Sequence, residues 1–142
     1  MQKSRTEIAD LFAAHGLLCT SQRYAVFHYL ANHPQHPTVE EVHTAINRID
    51  PRASRATVYN SLRAMVDAGL VKEVTIAGSA SRFESRMEPH HHFICDRCGQ
   101  IKDLEWFETR EIAKKSGVQP SSVRELVLQG TCADCLSGKR AS

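Results

Sequence analysis

Aromatic residues are scarce in this chain. They make up 6% of 142 residues against 42% hydrophobic residues overall, so any core is mostly aliphatic. No stretch approaches the roughly 20 consecutive apolar residues of a membrane span, so no membrane association is expected. Met1 to Leu18 lacks a long apolar run behind a basic start, which argues against a secretory leader and for the cytoplasm. Neither charge sign dominates. The net charge is +2, and residues 1–85 and 86–142 each carry nine Lys+Arg against eight Asp+Glu. Global charge therefore gives no hint of a nucleic-acid partner. There is no low-complexity tail. Cysteines are too few and too regularly spaced for a disulfide framework: of five, four form two C-x-x-C pairs, a pattern of metal chemistry in a reducing compartment. Cys19 stands apart and reads as a small buried hydrophobe.

What is present is concentrated in one stretch. His90-His91-His92-Phe93-Ile94-Cys95-Asp96-Arg97-Cys98 places three imidazoles and two thiols in nine residues. Both groups are common ligands of zinc and other first-row metals. Cys132-x-x-Cys135 follows, and two such knuckles can close one tetrahedral four-sulfur zinc site on Cys95, Cys98, Cys132 and Cys135. A half-chain of about 60–80 residues buries little surface, so a structural metal would supply folding free energy that its core lacks. In a strand His90 and His92 point to one face and His91 to the other. The His90/His92 pair can start a second metal site, which carboxylates must complete.

The first half of the chain reads as helices. Ile8, Leu11 and Phe12 share a face over Thr6–Leu17, and Gly16 offers a stop. Thr20-Ser21 can cap a second helix carrying Val26, Tyr29 and Leu30, which ends before Pro34. Thr38-Val39-Glu40-Glu41 is a capping box opening a third, with Val39, Val42 and Ile46 inward, broken at Asp50-Pro51. Ser54 caps a fourth, whose Val58, Leu62, Met65 and Val66 form an apolar stripe closed by Gly69. Its opposite face carries Arg55, Tyr59, Asn60 and Arg63, groups suited to phosphates and base edges. Two β-prone runs, Leu70–Ile76 and Ala80–Glu84, then form a hairpin around Gly78-Ser79. Helices followed by a hairpin make a winged helix-turn-helix, which enters the major groove with the helix before the hairpin. The local basic excess of Arg48, Arg52, Arg55 and Arg63 around Asp50 fits that partner.

Beyond Arg86 the pattern changes. Strands are expected at His91–Cys95, Gln100–Leu104 and Val123–Gln129, with a helix over Phe107–Ser116. Val123/Val127 and Leu126/Leu128 leave the last strand apolar on both faces, which calls for cover from a second subunit. The fold class is therefore α+β: a winged helix-turn-helix domain over 1–84, then a small α/β dimerisation domain over 85–142 with the structural zinc site.

In order along the chain, His36-Pro37-Thr38, Ala56-Thr57-Val58-Tyr59-Asn60-Ser61-Leu62, His90-x-His92-x-x-Cys95-x-x-Cys98-Gly99 and Cys132-x-x-Cys135 resemble the ferric uptake regulator superfamily, from about Gly16 to Cys135. Within it the chain most resembles the peroxide-sensing repressors. The resemblance implies a cytoplasmic homodimer that binds palindromic double-stranded operator DNA when a regulatory metal is loaded, and no enzyme. It implies Zn²⁺ on the four cysteines and Fe²⁺ or Mn²⁺ on His36, Glu84, His90, His92 and Asp103. DNA contacts fall on Arg55, Tyr59, Asn60 and Arg63, with Arg52 on phosphate. Asp103 and Asn60 resemble the peroxide sensors, whereas Glu84 resembles the iron sensors. The iron sensors' further site is unmatched, with Pro89, His91 and Arg124 at three of its positions. The implied mechanism is Fe²⁺-catalysed oxidation of a histidine ligand, His36 or His90, after which the protein leaves DNA. An iron-responsive repressor without peroxide sensing is the alternative, and a zinc hydrolase a remote one, since no Glu flanks the His pair at helical spacing. A zinc-ribbon interaction module without DNA is a further alternative, opposed by the basic fourth helix. His15, His28, His33 and His43 are read as structural.

Overall fold

The computed structural model describes residues 2–75 and 78–139. Those residues form six α-helices and five strands, divided between two compact units, Met1–Met87 and Glu88–Ser142.

In the first unit α1 (Arg5–Ala14), α2 (Ser21–Asn32), α3 (Val39–Ile49) and α4 (Arg55–Asp67) precede an antiparallel hairpin of β1 (Lys72–Val74) and β2 (Arg82–Glu84). Every one of these helices opens on a hydroxyl. Ser4, Thr20, Thr38 and Ser54 accept from the backbone amides of Glu7, Arg23, Glu41 and Thr57, satisfying donors that a helix start would leave exposed. Thr38–Glu41 closes the reciprocal box that the sequence announces, and Ser4–Glu7 closes a second that the sequence reading passed over. The apolar stripes meet in one core: Ile8 and Phe12, Val26, Phe27 and Leu30, Val42 and Ile46, Val58, Leu62 and Met65, joined by Phe83 of the wing. Phe12 meets Phe27 edge to face at 5.6 Å, the arrangement aromatic quadrupoles favour. Cys19 packs against this core, half-buried. His43 Nε2 sits 3.0 Å from the Ala53 carbonyl, bridging α3 to the turn before α4. The order of elements is that of a winged helix-turn-helix. The expected first wing strand reaches Ile76, which lies outside the described residues; the described part of that strand is Lys72–Val74.

The second unit is built on a three-stranded sheet in the order β4-β3-β5: β3 (His91–Cys95) is central, antiparallel to β4 (Ile101–Leu104) and parallel to β5 (Val127–Gly130). A parallel pair needs a crossover, and this one carries the short helix α5 (Arg110–Lys115) and a single 3₁₀ turn at Pro120–Ser122. A last turn of helix, α6 (Ala133–Leu136), was not foreseen. Two expected elements are shorter than the sequence suggested. The helix expected from Phe107 starts at Arg110, because Trp106 and Phe107 are drawn onto His91 instead. The strand expected from Val123 starts at Val127, because Pro120 seeds the 3₁₀ turn and the chain pairs with β3 only from Leu126 onward. Among the described residues no helix is long and apolar enough to cross a membrane.

Candidate metal centres and nucleic-acid face

The first knuckle is the hairpin between β3 and β4. Gly99 takes φ +74°, a conformation open to glycine at no steric cost, and donates to the Cys95 carbonyl at 2.9 Å. That turn sets Cys95 and Cys98 side by side. The second knuckle opens α6, with Cys132 at its N-cap and Cys135 inside it. Cys95 and Cys135 sulfurs lie 3.8 Å apart, and those of Cys98 and Cys132 lie 3.9 Å apart. A disulfide would need about 2.04 Å. Four ligands at about 2.3 Å in a tetrahedron are separated by about 3.8 Å, so the spacing fits a four-sulfur zinc site. The electrostatics fit as well. Backbone amides of Cys98 and Cys132 aimed at Cys95 pull its thiol down to about 6, whereas burial pushes Cys135 up to about 12. Four adjacent thiols cannot all ionise unaided, and a divalent ion resolves that conflict.

In the second unit a different donor set gathers one strand-turn away. His92 pairs directly with Asp103 in the β3–β4 register, so their side chains share a face. His90, two residues earlier, lies on the same face. The Nε2 atoms of His90 and His92 are 3.1 Å apart, and each is 3.5 Å from Asp103 Oδ1. Both rings are fully buried. The opposite nitrogens fix the tautomers. His90 Nδ1 lies 2.7 Å from the Glu88 carbonyl, which can only accept, and His92 Nδ1 lies 2.8 Å from a Glu125 carboxylate oxygen. Each Nδ1 therefore carries the proton, and each Nε2 turns a lone pair toward the other and toward Asp103. Two nitrogens bound at about 2.1 Å with a right angle between them lie about 3.0 Å apart, so these residues fit a first-row divalent cation.

His91 points the other way and has other work. Its Nε2–H donates to the Phe107 carbonyl at 3.0 Å, and its Nδ1 accepts from the Leu126 amide at 2.9 Å. Trp106 stacks on it at 4.4 Å, and Phe107 lies tilted against it at 4.1 Å.

In the first unit His36 and Glu84 come together. The Phe83 amide donates to the Pro37 carbonyl at 2.9 Å, and the Arg82 guanidinium donates to the His36 carbonyl at 3.1 Å. These bonds tie the His36-Pro37-Thr38 loop to the wing strand, bringing His36 Nε2 to 2.8 Å from Glu84 Oε2. Both side chains are buried. His36 is held at φ +58°, a left-handed conformation that costs a side-chain-bearing residue about 1–3 kcal/mol. Burying a carboxylate is expensive without a nearby cation or donor.

The candidate DNA face lies on α4 and the turn before it. Val58, Leu62 and Met65 face the core, while Tyr59 is 45% exposed on the outer side with Arg55, Asn60 and Arg63. The arginines have carboxylate partners at hand: Arg55 with Glu40, Arg63 with Glu73 at 2.9 Å, and Arg52 with Asp50 at 3.2 Å. Arg63 also lies over the Tyr59 ring at 5.8 Å. The Arg55 and Arg52 pairs are exposed, a kind that contributes about 0–1 kcal/mol, so phosphates can displace them cheaply. The other histidines serve their helices: His28 lies 3.3 Å from the Asn32 amide nitrogen, His33 stacks on Tyr29, and His15 bonds the Leu11 carbonyl.

Fold and sites together define a winged-helix protein with a four-cysteine cluster and a separate histidine–carboxylate metal cluster. The chain belongs to the ferric uptake regulator family, whose model matches residues 14–125. As a member it is a transcriptional regulator and not an enzyme, which removes the zinc-hydrolase reading. Within the family it lies close to the peroxide-responsive branch. It is 36% identical over 131 residues to the peroxide-responsive repressor PerR of Staphylococcus aureus, spanning 90% of this chain and 88% of that one. Its structure is similar to the Vibrio cholerae ferric uptake regulator, with a TM-score of 0.70, 29% identity, and coverage of 88% and 99% of the two chains. It is also similar to the Campylobacter jejuni peroxide stress regulator, with a TM-score of 0.67, 25% identity, and coverage of 94% and 99%.

Among the described residues, Glu125 is a functional candidate that sequence reasoning missed, because it lies 33 residues from His92 and belongs to no motif.

Proposed function

We propose that this protein is a metal-dependent repressor that binds palindromic operator DNA as a cytoplasmic homodimer and senses peroxide through a histidine ligand. The observation that carries this reading is the pair of buried imidazoles, His90 and His92, locked with both Nε2 atoms toward Asp103. His36 and Glu84 form the complementary pair in the winged unit. His36 and Glu84, or His90, His92 and Asp103, would each alone leave a divalent ion short of ligands, and the family resemblance assigns all five to one regulatory Fe²⁺ or Mn²⁺. On that assignment the regulatory ion would act as a removable latch on the DNA-reading helices. Zn²⁺ on Cys95, Cys98, Cys132 and Cys135 is the structural ion.

Bound Fe²⁺ would supply the redox chemistry with peroxide. His36 or His90 is the residue altered: its ring gains one oxygen atom while the other peroxide oxygen leaves as water, so two electrons are balanced. The altered ring is a poor ligand, and Arg55, Tyr59, Asn60 and Arg63 lose their common grip on base edges while Arg52 leaves its phosphate. Val127 and Leu128 on β5 are nearly half exposed and support a partner subunit there. The peroxide-responsive relative and the Asp103 and Asn60 resemblances favour peroxide over iron sensing, while Glu84 favours the iron-responsive reading.

Mass spectrometry separates the two. Treatment with H₂O₂ in the presence of Fe²⁺, but not Mn²⁺, is expected to add one oxygen to a peptide holding His36 or His90. Unmodified peptides under both metals, with DNA binding that follows iron alone, would establish the iron-responsive reading.

A further inference from the structure

We infer that Glu125 is a positioning residue for the regulatory metal, holding His92 in the tautomer and ring orientation that can ligate. The inference rests on the metal-site reading above and adds to it a residue with no ligand role of its own.

The contact is a built one. Glu125 Oε2 accepts from His92 Nδ1 at 2.8 Å, and His92 is fully buried. The backbone beside Glu125 is stitched to β3 through both polar groups of the next residue: the Leu126 amide donates to His91 Nδ1 at 2.9 Å, and the Leu126 carbonyl accepts from the His92 amide at 3.1 Å. Those bonds fix the Cα of Glu125 beside β3, within side-chain reach of His92. His91, which binds no metal in this reading, thereby helps to place the residue that orients its neighbour.

The chemistry gives the contact a consequence. A carboxylate accepting Nδ1–H forces the lone pair onto Nε2, the atom that faces His90 and Asp103, and its negative charge makes the imidazole a more basic donor. The two histidines are not equivalent in this respect. His90 leans on the neutral carbonyl of Glu88 at 2.7 Å, whereas His92 leans on an anion. His92 is therefore the stronger nitrogen donor of the pair, and Glu125 is what makes it so. Losing such an orienting partner typically lowers metal affinity about 10–100-fold.

The test is Mn²⁺ binding to the zinc-loaded full chain, read from the electron paramagnetic resonance signal of free aqueous Mn²⁺. The proteins compared are wild type, Glu125→Gln, Glu125→Ala and His92→Ala. Glu125→Ala should weaken Mn²⁺ about 10–100-fold. Glu125→Gln, which keeps an acceptor but loses the charge, should fall between it and wild type. Zinc content should not change. Visible absorption of bound Co²⁺ should shift in both Glu125 variants, since a role confined to folding would leave those bands alone. If Glu125→Ala does not fold, Glu125→Gln decides, and its affinity and Co²⁺ spectrum must still differ from wild type. Wild-type affinity and an unchanged Co²⁺ spectrum in Glu125→Gln, with His92→Ala losing the metal, would overturn the positioning role alone. Wild-type Mn²⁺ affinity in His92→Ala would overturn the metal-site reading and this inference with it.

Discussion

His91 uses both of its ring nitrogens inside the protein, and two aromatic rings cover its faces. Its neighbours His90 and His92 bear the same side chain and aim it at a different problem. Strand alternation alone accounts for the split, which is why it could be read from three consecutive letters. What each ring touches could not be read, because the Phe107 carbonyl and the Leu126 amide come from distant parts of the chain. Glu125 was hidden for the same reason. The left-handed conformation of His36 was hidden too, because its loop is tied to Arg82 and Phe83 in a distant part of the chain. Replacing His91 by Ala removes a buried ring and orphans a backbone amide. The expected cost is about 3–5 kcal/mol of stability, seen as a lower denaturation midpoint followed by fluorescence of Trp106. A cost under about 1 kcal/mol would mean that the aromatic stack is not a structural element.

At the scale of elements, the capped helices and the wing were legible because hydroxyl caps, glycine stops and 3.6-residue stripes are local signals. Thr38 and Val58-Leu62-Met65 show it directly. The second unit was less legible. Its α5 is short because Trp106 and Phe107 answer to His91, and β5 is short because its pairing is set by β3 rather than by its own alternating pattern. The outer face of α4 and the turn before it carry functional predictions. On the proposed phosphate role, Arg52→Ala should weaken binding evenly across DNA sequences and reduce the salt slope by about 1. Arg55→Ala should instead cost about 1–3 kcal/mol and relax preference at one base. Competition binding over a salt series distinguishes them. Unchanged affinity in both variants would remove Arg52 and Arg55 from the DNA interface.

The whole molecule depends on its two metal sites in different ways. Among the described residues, the small second unit has few buried apolar side chains, among them Ile94, Ile101 and Ala113, beside the sulfur cluster. A structural zinc commonly contributes folding free energy that such a core lacks. Stripping zinc with a strong chelator, or replacing Cys132 by Ser, should therefore unfold residues 88–139 and release the dimer to monomer. Circular dichroism and sedimentation would follow the two losses, and an intact dimer after complete zinc removal would contradict the assignment.

The regulatory ion should govern DNA affinity instead of folding. The direct measurement is fluorescence anisotropy of a duplex selected in vitro on the Mn²⁺-loaded protein, titrated with zinc-replete protein before and after mild chelation. Coupling between two sites typically amounts to about 5–150-fold in affinity. A loss of that size on chelation, restored by Mn²⁺ and absent in His92→Ala, is the result predicted. Equal affinity with and without Mn²⁺, at unchanged zinc content, would contradict it.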